Sequence, residues 1–141
     1  MNFLDSPWQG ERSSGSTGLL FRETVRVALL RKGKEDSFEF SEWVIKLQRH
    51  LVGLSIIYRP PYSVNHSVTT SVFLEQFATY LESIATEREP LFIVGDVDIH
   101  INKPDDNDTR QLNDLQTSLA MEQLVMELTH VSGNILHLNV V

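Results

Sequence analysis

The chain has 141 residues, 41% of them hydrophobic and 22% charged, which fits a single globular domain and excludes global disorder. Its formal net charge of −7 disfavours a protein that binds nucleic acid through its overall charge. A small acidic site could still bind phosphate through a metal cation. Because there is no cysteine, disulfides, zinc–thiolate sites and thiol nucleophiles are excluded.

The N-terminal part of the sequence predicts little regular structure. Residues 1–18 are expected to form a flexible segment, because Asp5 to Gly18 is rich in glycine, serine and proline and poor in apolar residues. The first ten residues lack the pattern of a secretory signal, and no apolar run approaches the ~18–20 residues that cross a bilayer. We therefore expect an intracellular protein, nuclear or cytoplasmic, without membrane contact, whose domain covers residues 19–141.

The first half of this domain is predicted to consist of strands. Val25–Leu30 is rich in aliphatic residues, and a second extended segment reaches Leu47 after a turn at Lys32–Lys34, so the pair predicts a hairpin. Leu51–Tyr58 is almost wholly apolar, which predicts a third strand that is covered on both faces. Pro60–Pro61 ends it, since proline cannot donate to a strand ladder.

The second half mixes helices and strands. Apolar residues recur at helical spacing from Phe73 to Ile84, with Thr69 or Thr70 as the predicted cap, and Leu91–Val94 predicts a short buried strand.

A polar loop then leads to a second predicted helix, which carries a stripe of three leucines and starts at a pair, Asp108 and Gln111, that resembles a capping box. Leu124–Thr129 and Ile135–Val141 predict two last strands. The whole pattern indicates an α/β (α+β) sandwich with a mixed sheet.

The most informative stretch for chemistry runs from Leu91 to His100. A buried strand that enters Gly95 and Asp96 places a carboxylate at the carboxyl edge of the strand, where crevices form in open sheets, and Asp98 adds a second carboxylate. Oxygen ligands of this kind suit Mg²⁺ and phosphate chemistry. The spacing alone leaves open a loop whose aspartates cap backbone amides in contact with water.

Two further stretches carry candidate polar groups. Tyr58 and Arg59 end a strand and could both bind a phosphate, although, taken alone, they are better explained as a tyrosine at the rim of the core and a solvated arginine. His130 and His137 flank a turn, where a structural role is the ordinary one. The five histidines show no zinc-binding spacing, and the chain has neither a glycine-rich phosphate loop nor a nucleophile elbow.

Taken in order, these stretches resemble the endonuclease/exonuclease/phosphatase family, and in particular the apurinic-type endonuclease domain of non-LTR retrotransposons. That branch carries Tyr-Arg-Pro-Pro at the end of a strand, as at Tyr58–Pro61. Its Gly-Asp-Phe-Asn-x-His motif is matched imperfectly by Gly95–His100, and its Thr-His-x-Ser-Gly and Leu-Asp-Leu motifs by Thr129–Leu138. The resemblance covers nearly the whole chain, from Gly15 to Val141.

The resemblance implies mixed β-sheets packed face to face with helices outside, incomplete at both ends, and Mg²⁺-dependent hydrolysis of DNA phosphodiesters. Asp96 matches the aspartate that orients or deprotonates the attacking water, and Tyr58 matches the tyrosine that contacts the scissile phosphate. Asp98 stands where the family has an asparagine that donates to the phosphate, and His137 stands where it has an aspartate. Asp96 and Asp98 are the candidate metal ligands.

The departures from the family pattern predict impaired chemistry. Besides the replacements at Asp98 and His137, the family's Ser-Asp-His segment and its upstream asparagine and metal-binding glutamate are expected to lie outside residues 1–141. We therefore expect a partial, degenerate endonuclease domain that is impaired or inactive and binds DNA weakly or not at all.

Two alternatives stay open. One is a non-catalytic fragment that folds or self-associates through exposed apolar surface. The other, less favoured, is a haloacid-dehalogenase-type phosphotransferase that uses Asp96 and Asp98. That motif normally opens its domain, whereas three predicted strands and a helix precede it here.

Overall fold

A computed structural model describes residues 2–7, 16–61, 63–65, 67–85, 90–99, 105–123 and 137–140. Within these ranges, neither helix combines the length and the apolar character that a membrane-spanning helix requires. The elements follow one another as β1 (Asn2–Pro7), β2 (Ser16–Phe21), β3 (Arg26–Lys34), β4 (Glu39–Leu47), β5 (His50–Tyr58), α1 (Thr70–Ile84), β6 (Leu91–Asp96), α2 (Asn107–Ser118) and β7 (His137–Val140).

Strands β3 to β7 form one five-stranded sheet in which chain order and spatial order agree. β3, β4 and β5 are antiparallel neighbours, β6 joins β5 in parallel, and β7 is antiparallel to β6. A parallel step needs a crossover connection, and α1 supplies it between β5 and β6. The mixed sheet with helices agrees with the fold class that the sequence predicts.

Helix α1 covers one face of this sheet and forms the core with it. Its aromatic stripe, Phe73 and Phe77, is fully buried with Phe38 and Ile57 of the sheet side, as the helical spacing predicts. Phe38 meets both rings edge-on with centroids 5.8 Å apart, the arrangement that aromatic quadrupoles favour. Helix α2 adds Leu112 to the same cluster.

The opposite face of the sheet is covered by a second, two-stranded sheet of β1 and β2. β2 contacts β4 and β5, and the buried Thr17 hydroxyl donates to Ser41 Oγ at 2.9 Å. Ser41 Oγ also accepts from the indole of the fully buried Trp43 at 2.8 Å. Two strand layers therefore pack face to face, with the helices outside them.

β1 and the first half of β2 lie in the segment that composition predicted to be flexible. In the structure Asn2–Pro7 and Ser16–Phe21 pair in an antiparallel register, so their backbone groups form a strand ladder. The domain boundary at residues 18 and 19 stays a prediction. The predicted strand at Leu124–Thr129 lies outside the described residues.

The predicted hairpin of β3 and β4 is confirmed, but its turn lies at residues 35–38 rather than at Lys32–Lys34, which belongs to β3. Gly33 lies inside β3, and the Phe40 ring of the neighbouring strand packs against it. A Cβ on Gly33 would lie 2.8 Å from Phe40 Cζ. This glycine therefore marks a close contact and not a turn.

The two helix starts test the predicted caps. Thr69 caps α1, and its side chain accepts from the Val72 amide at 3.4 Å. For α2 the predicted capping box is wrong, because Asp106 and not Asp108 is the cap. The Asp106 carboxylate accepts from the amides of Asp108 and Thr109 at 2.9 and 3.4 Å.

Arg59, the residue after β5, connects the turn that follows β6 to helix α1 through hydrogen bonds of its side chain. Its side chain is only 3% exposed, and its guanidinium donates to the Val97 carbonyl at 3.2 Å and to Thr70 Oγ1 at 2.9 Å. It also stacks 4.7 Å from the centroid of the Phe73 ring. Burial lowers the pKa of this guanidinium, which still stays charged. Arg59 is therefore neither a solvated side chain nor an open phosphate ligand.

We expect Arg59→Lys to lower the free energy of unfolding by about 1–3 kcal/mol, because lysine keeps the charge but loses the planar fork and its stacking. Chemical denaturation followed by circular dichroism measures the change. Arg49→Lys, at an exposed turn, is the matched control and should stay within about 0.5 kcal/mol of the parent chain. Equal stability of the two variants would contradict the role of Arg59.

Candidate active site

One residue from each strand of the five-stranded sheet contributes to a line across its end. In order these residues are Lys34, Glu39, Tyr58, Asp96 and His137, each the register partner of the next. Register partners on neighbouring strands project to the same face of a sheet, so the side chains of Lys34, Glu39, Tyr58 and Asp96 share one face. We call this line the polar row. It places Tyr58 directly between Glu39 and Asp96.

The backbone at Asp96 explains why a glycine precedes it. A Cβ on Gly95 would lie 2.1 Å from the Ile57 carbonyl oxygen, so a larger residue could not pair with β5 at this point. The Arg59 amide then donates to the Asp96 carbonyl at 2.9 Å, which extends the pairing one residue beyond the strand. The Gly-Asp step that the sequence singles out thus has a packing reason as well as a chemical one.

Tyr58 is partly buried in the middle of the row. Burial raises the pKa of its phenol above 10.0, and the negative charges of Asp96 and Glu39 raise it further. The phenol therefore keeps its proton throughout the neutral range and can donate a hydrogen bond. A protonated phenol is the form that can approach an anionic phosphate oxygen.

Asp98 lies on the turn beside the row and is not a member of it. Its amide donates to Asp96 Oδ1 at 3.3 Å, and its own side chain is exposed. Its φ of 53° is in the left-handed region, which aspartate and asparagine tolerate better than other side chains because they are short and polar. The backbone at this position would therefore accept the asparagine that the resemblance expects.

Glu39, like Lys34, is a member of the row that sequence reasoning missed. It is only 4% exposed, and its Oε1 has no hydrogen-bond partner among the described residues. Burial raises the pKa of this carboxyl, and the charge of Lys34 opposes the effect. The sequence carried no signal for it, because the two-residue turn at Gln48–Arg49, which fixes the register that sets Glu39 against Tyr58, has none of the asparagine or glycine residues that mark such turns.

Three of the four predicted site residues, Tyr58, Asp96 and His137, therefore lie in one row, and the fourth, Asp98, lies on the adjoining turn. Across the ranges that the structure describes, no three histidine, aspartate or glutamate side chains gather as a metal cluster. Mg²⁺ commonly takes one or two carboxylates and keeps several waters, so Asp96 and Asp98 as its ligands stay a prediction.

Comparison with known proteins places the fold. No protein-family sequence profile and no curated protein sequence matches the chain. Among solved structures, it is similar to the endonuclease domain of TRAS1, a telomere-specific non-LTR retrotransposon, with a TM-score of 0.67 and 14% identity over 99% of this chain and 65% of that one. It is also similar to the catalytic domain of human Nocturnin, with a TM-score of 0.55 and 12% identity over 99% of this chain and 59% of that one.

The chain thus spans less than two thirds of either structure while nearly all of it is matched. One of these structures is the kind of domain that the Tyr-Arg-Pro-Pro and Gly-Asp motifs resemble. Their low identity means that the likeness lies in the arrangement of elements and not in shared side chains. The chain therefore has the fold of endonuclease/exonuclease/phosphatase domains over nearly its whole length.

Proposed function

We propose that this chain is a segment of an endonuclease-type domain that carries a degenerate site for Mg²⁺-dependent hydrolysis of DNA phosphodiesters. The observation that supports the proposal is the register pairing of Tyr58 with Asp96 at the ends of two parallel strands. These residues come from motifs that are well separated in the sequence, and in the resemblance one contacts the phosphate and the other handles the water. Their juxtaposition is what such a site needs.

The two residues have complementary tasks in this proposal. The Tyr58 phenol, whose pKa is raised by burial and by nearby carboxylates, donates a hydrogen bond to a phosphate oxygen. The Asp96 carboxylate accepts a hydrogen bond from the attacking water and orients it. Asp96 would hold Mg²⁺, which would supply positive charge against the phosphate.

Two replacements weaken the site. An ionised Asp98 accepts hydrogen bonds but donates none, and it repels an anionic phosphate where the family has a donor. His137, beside Asp96 by register, stands where the family has the fixed negative charge of an aspartate. Loss of one such group typically costs about 10²–10⁴-fold in rate, so we propose that activity is strongly reduced.

A graft tests this proposal directly. Residues 16–140 would replace the structurally matching part of the TRAS1 endonuclease domain, with and without the paired changes Asp98→Asn and His137→Asp. We expect the changed graft to nick supercoiled and abasic DNA in Mg²⁺ at least ~10²-fold faster than the unchanged one. Adding Asp96→Ala to the changed graft should abolish the gain.

Circular dichroism confirms that each graft is folded, so that an inactive one is informative. Rapid nicking by the unchanged graft would contradict the proposed effect of the replacements. A folded, changed graft that stays as slow as its Asp96→Ala derivative would contradict the site itself.

Asp98 can also be tested in the chain as it stands. Asp98→Asn should tighten binding of a short abasic duplex about fivefold at low salt, equivalent to ~1 kcal/mol, because it removes one repulsive charge. Stability should not change, since asparagine tolerates the same left-handed backbone. Asp114→Asn removes an equal charge from the exposed surface of α2 and is the control. An equal gain in both variants, measured by fluorescence anisotropy, would assign the effect to net charge alone.

A second candidate, self-association, is favoured by β3. Among the described strands β3 is at one edge of the five-stranded sheet, and Leu29 and Leu30 on it are exposed, as are Leu47 on β4 and Leu51 on β5. An open edge with exposed leucines can pair with the same edge of a second copy. The chain would then act as an assembling fragment without catalysis.

If β3 drives association, the apparent mass in size-exclusion chromatography with light scattering should rise with concentration. Leu30→Lys, at a side chain that is 49% exposed, should return the chain to a monomer because a charge at the edge opposes pairing. Val64→Lys replaces an apolar side chain that is 99% exposed and away from β3, and it should leave association unchanged. A monomer at every concentration would contradict this candidate.

A further inference from the structure

We propose that the open edge of β3 binds an extended segment of a partner protein in which acidic and apolar residues alternate, and that this segment adds to the five-stranded sheet as a further strand. The inference goes beyond the proposed function and does not depend on the chemistry of the polar row. It concerns the same edge as the self-association candidate but names a different occupant.

The edge supplies the backbone groups for such a partner. Among the described strands, β3 pairs with β4 on one side and has no strand on its other side. In an edge strand, part of the N–H and C=O groups point outward, where an extended chain can pair with them. The bulge at Leu30, which has no register partner on β4, divides the edge. We assign the partner to the half that lies beside helix α1, Arg31–Lys34.

The charge of β3 favours an acidic partner. Its nine residues include four basic ones, Arg26, Arg31, Lys32 and Lys34, out of twelve in the whole chain, and none of the nineteen acidic ones. Lys32 is exposed, its register partner is the neutral Ser41, and no carboxylate in the described part of the chain forms an ion pair with it. Lys34, two residues further on, lies on the same face. A chain of net charge −7 thus presents a positive face at this edge.

The opposite face of the same segment borders a cavity. Gly33 has no side chain, so the Phe40 ring lies directly against the backbone of the edge strand. Phe40 also packs on the Tyr80 ring of α1, with centroids 4.6 Å apart. Both rings line a cavity of about 360 Å³ between β3 and α1. An apolar side chain that extends from an added strand next to Gly33 would contact these rings.

Charges around the cavity favour an apolar side chain over an acidic one at this place. Arg31, on the cavity face, already forms an ion pair with Glu42 and lies 5.4 Å from the centroid of the Phe40 ring. Two further carboxylates, Glu35 and Glu75, line the cavity and would repel an incoming carboxylate. Acidic side chains of a partner are therefore directed to the lysine face.

The two faces together define the partner. Successive side chains of an extended segment point to opposite faces, so alternating acidic and apolar residues meet the lysines on one face and the cavity on the other. A second copy fits this edge less well, because its own β3 would bring two sets of basic side chains together. A nucleic-acid backbone would use the lysines but not the cavity.

The binding test uses the full chain and a labelled ten-residue peptide of alternating glutamate and valine with blocked ends. Fluorescence anisotropy should show saturable binding of this peptide. Two matched peptides, one with lysine for glutamate and one with serine for valine, should each bind at least about tenfold more weakly. Lys32→Glu should weaken binding of the acidic peptide at least about fivefold. Lys46→Glu, the same change at an exposed position near the other end of β4, is the control and should change binding less than about twofold.

Hydrogen exchange supplies a backbone measurement that attraction between side chains alone would not change. The bound acidic peptide should slow exchange of outward-facing amides within Arg31–Lys34, in the parent chain and in Lys46→Glu alike. Binding without this protection would overturn the inference. So would equal binding of the lysine and glutamate peptides, a comparison that stays informative even if Lys32→Glu does not fold.

Two other occupants would give different results, and either result would overturn the inference. A short DNA duplex that binds through Lys32 while the acidic peptide does not bind would make this edge a nucleic-acid surface. Self-association that weakens in Lys32→Glu and excludes the acidic peptide, measured by light scattering, would assign the edge to a second copy. Neither result bears on the pairing of Tyr58 with Asp96, so the proposed endonuclease-type site is tested separately.

Discussion

The parallel pairing of β5 with β6 is the constraint on which the rest of the site depends. It sets Tyr58 beside Asp96 only because α1 returns the chain over the sheet and because Gly95 lets the two backbones approach. Arg59 then joins the turn after Asp96 to the start of α1. The buried guanidinium of Arg59 thus links the position of Asp96 to the packing of helix α1.

How far the sequence predicts this arrangement depends on whether each feature is local. The stripe of α1 and the Gly-Asp step can be recognised from neighbouring residues, and both are observed. Glu39 and Arg59 could not be assigned that way, since their surroundings come from strand register and from a helix more than ten residues away. The strand at Asn2–Pro7 was missed because pairing outweighs composition.

Fold and chemistry are separable in this chain because different side chains determine them. The aromatic core between α1 and the sheet does not involve Asp98, whose side chain is exposed and which is one of the two positions where the motifs depart from the family pattern. At Asp98 the backbone is left-handed, a conformation that aspartate and asparagine both accept. The fold can therefore be kept while the chemistry of the site changes, which agrees with structural likeness at 14% identity.

In the proposed function, the location of negative charge matters more than its amount. With an aspartate in place of His137, the polar row would carry a carboxylate on each of three strands, and the turn at residue 98 would carry a neutral donor. Compared with that arrangement, this chain has one carboxylate fewer in the row, at His137, and one more on the turn, at Asp98. The sum is unchanged, but a charge has moved from the paired strands to an exposed turn, where a DNA backbone would meet it first. A site rearranged in this way loses both a group that orients the reaction and a group that admits the substrate.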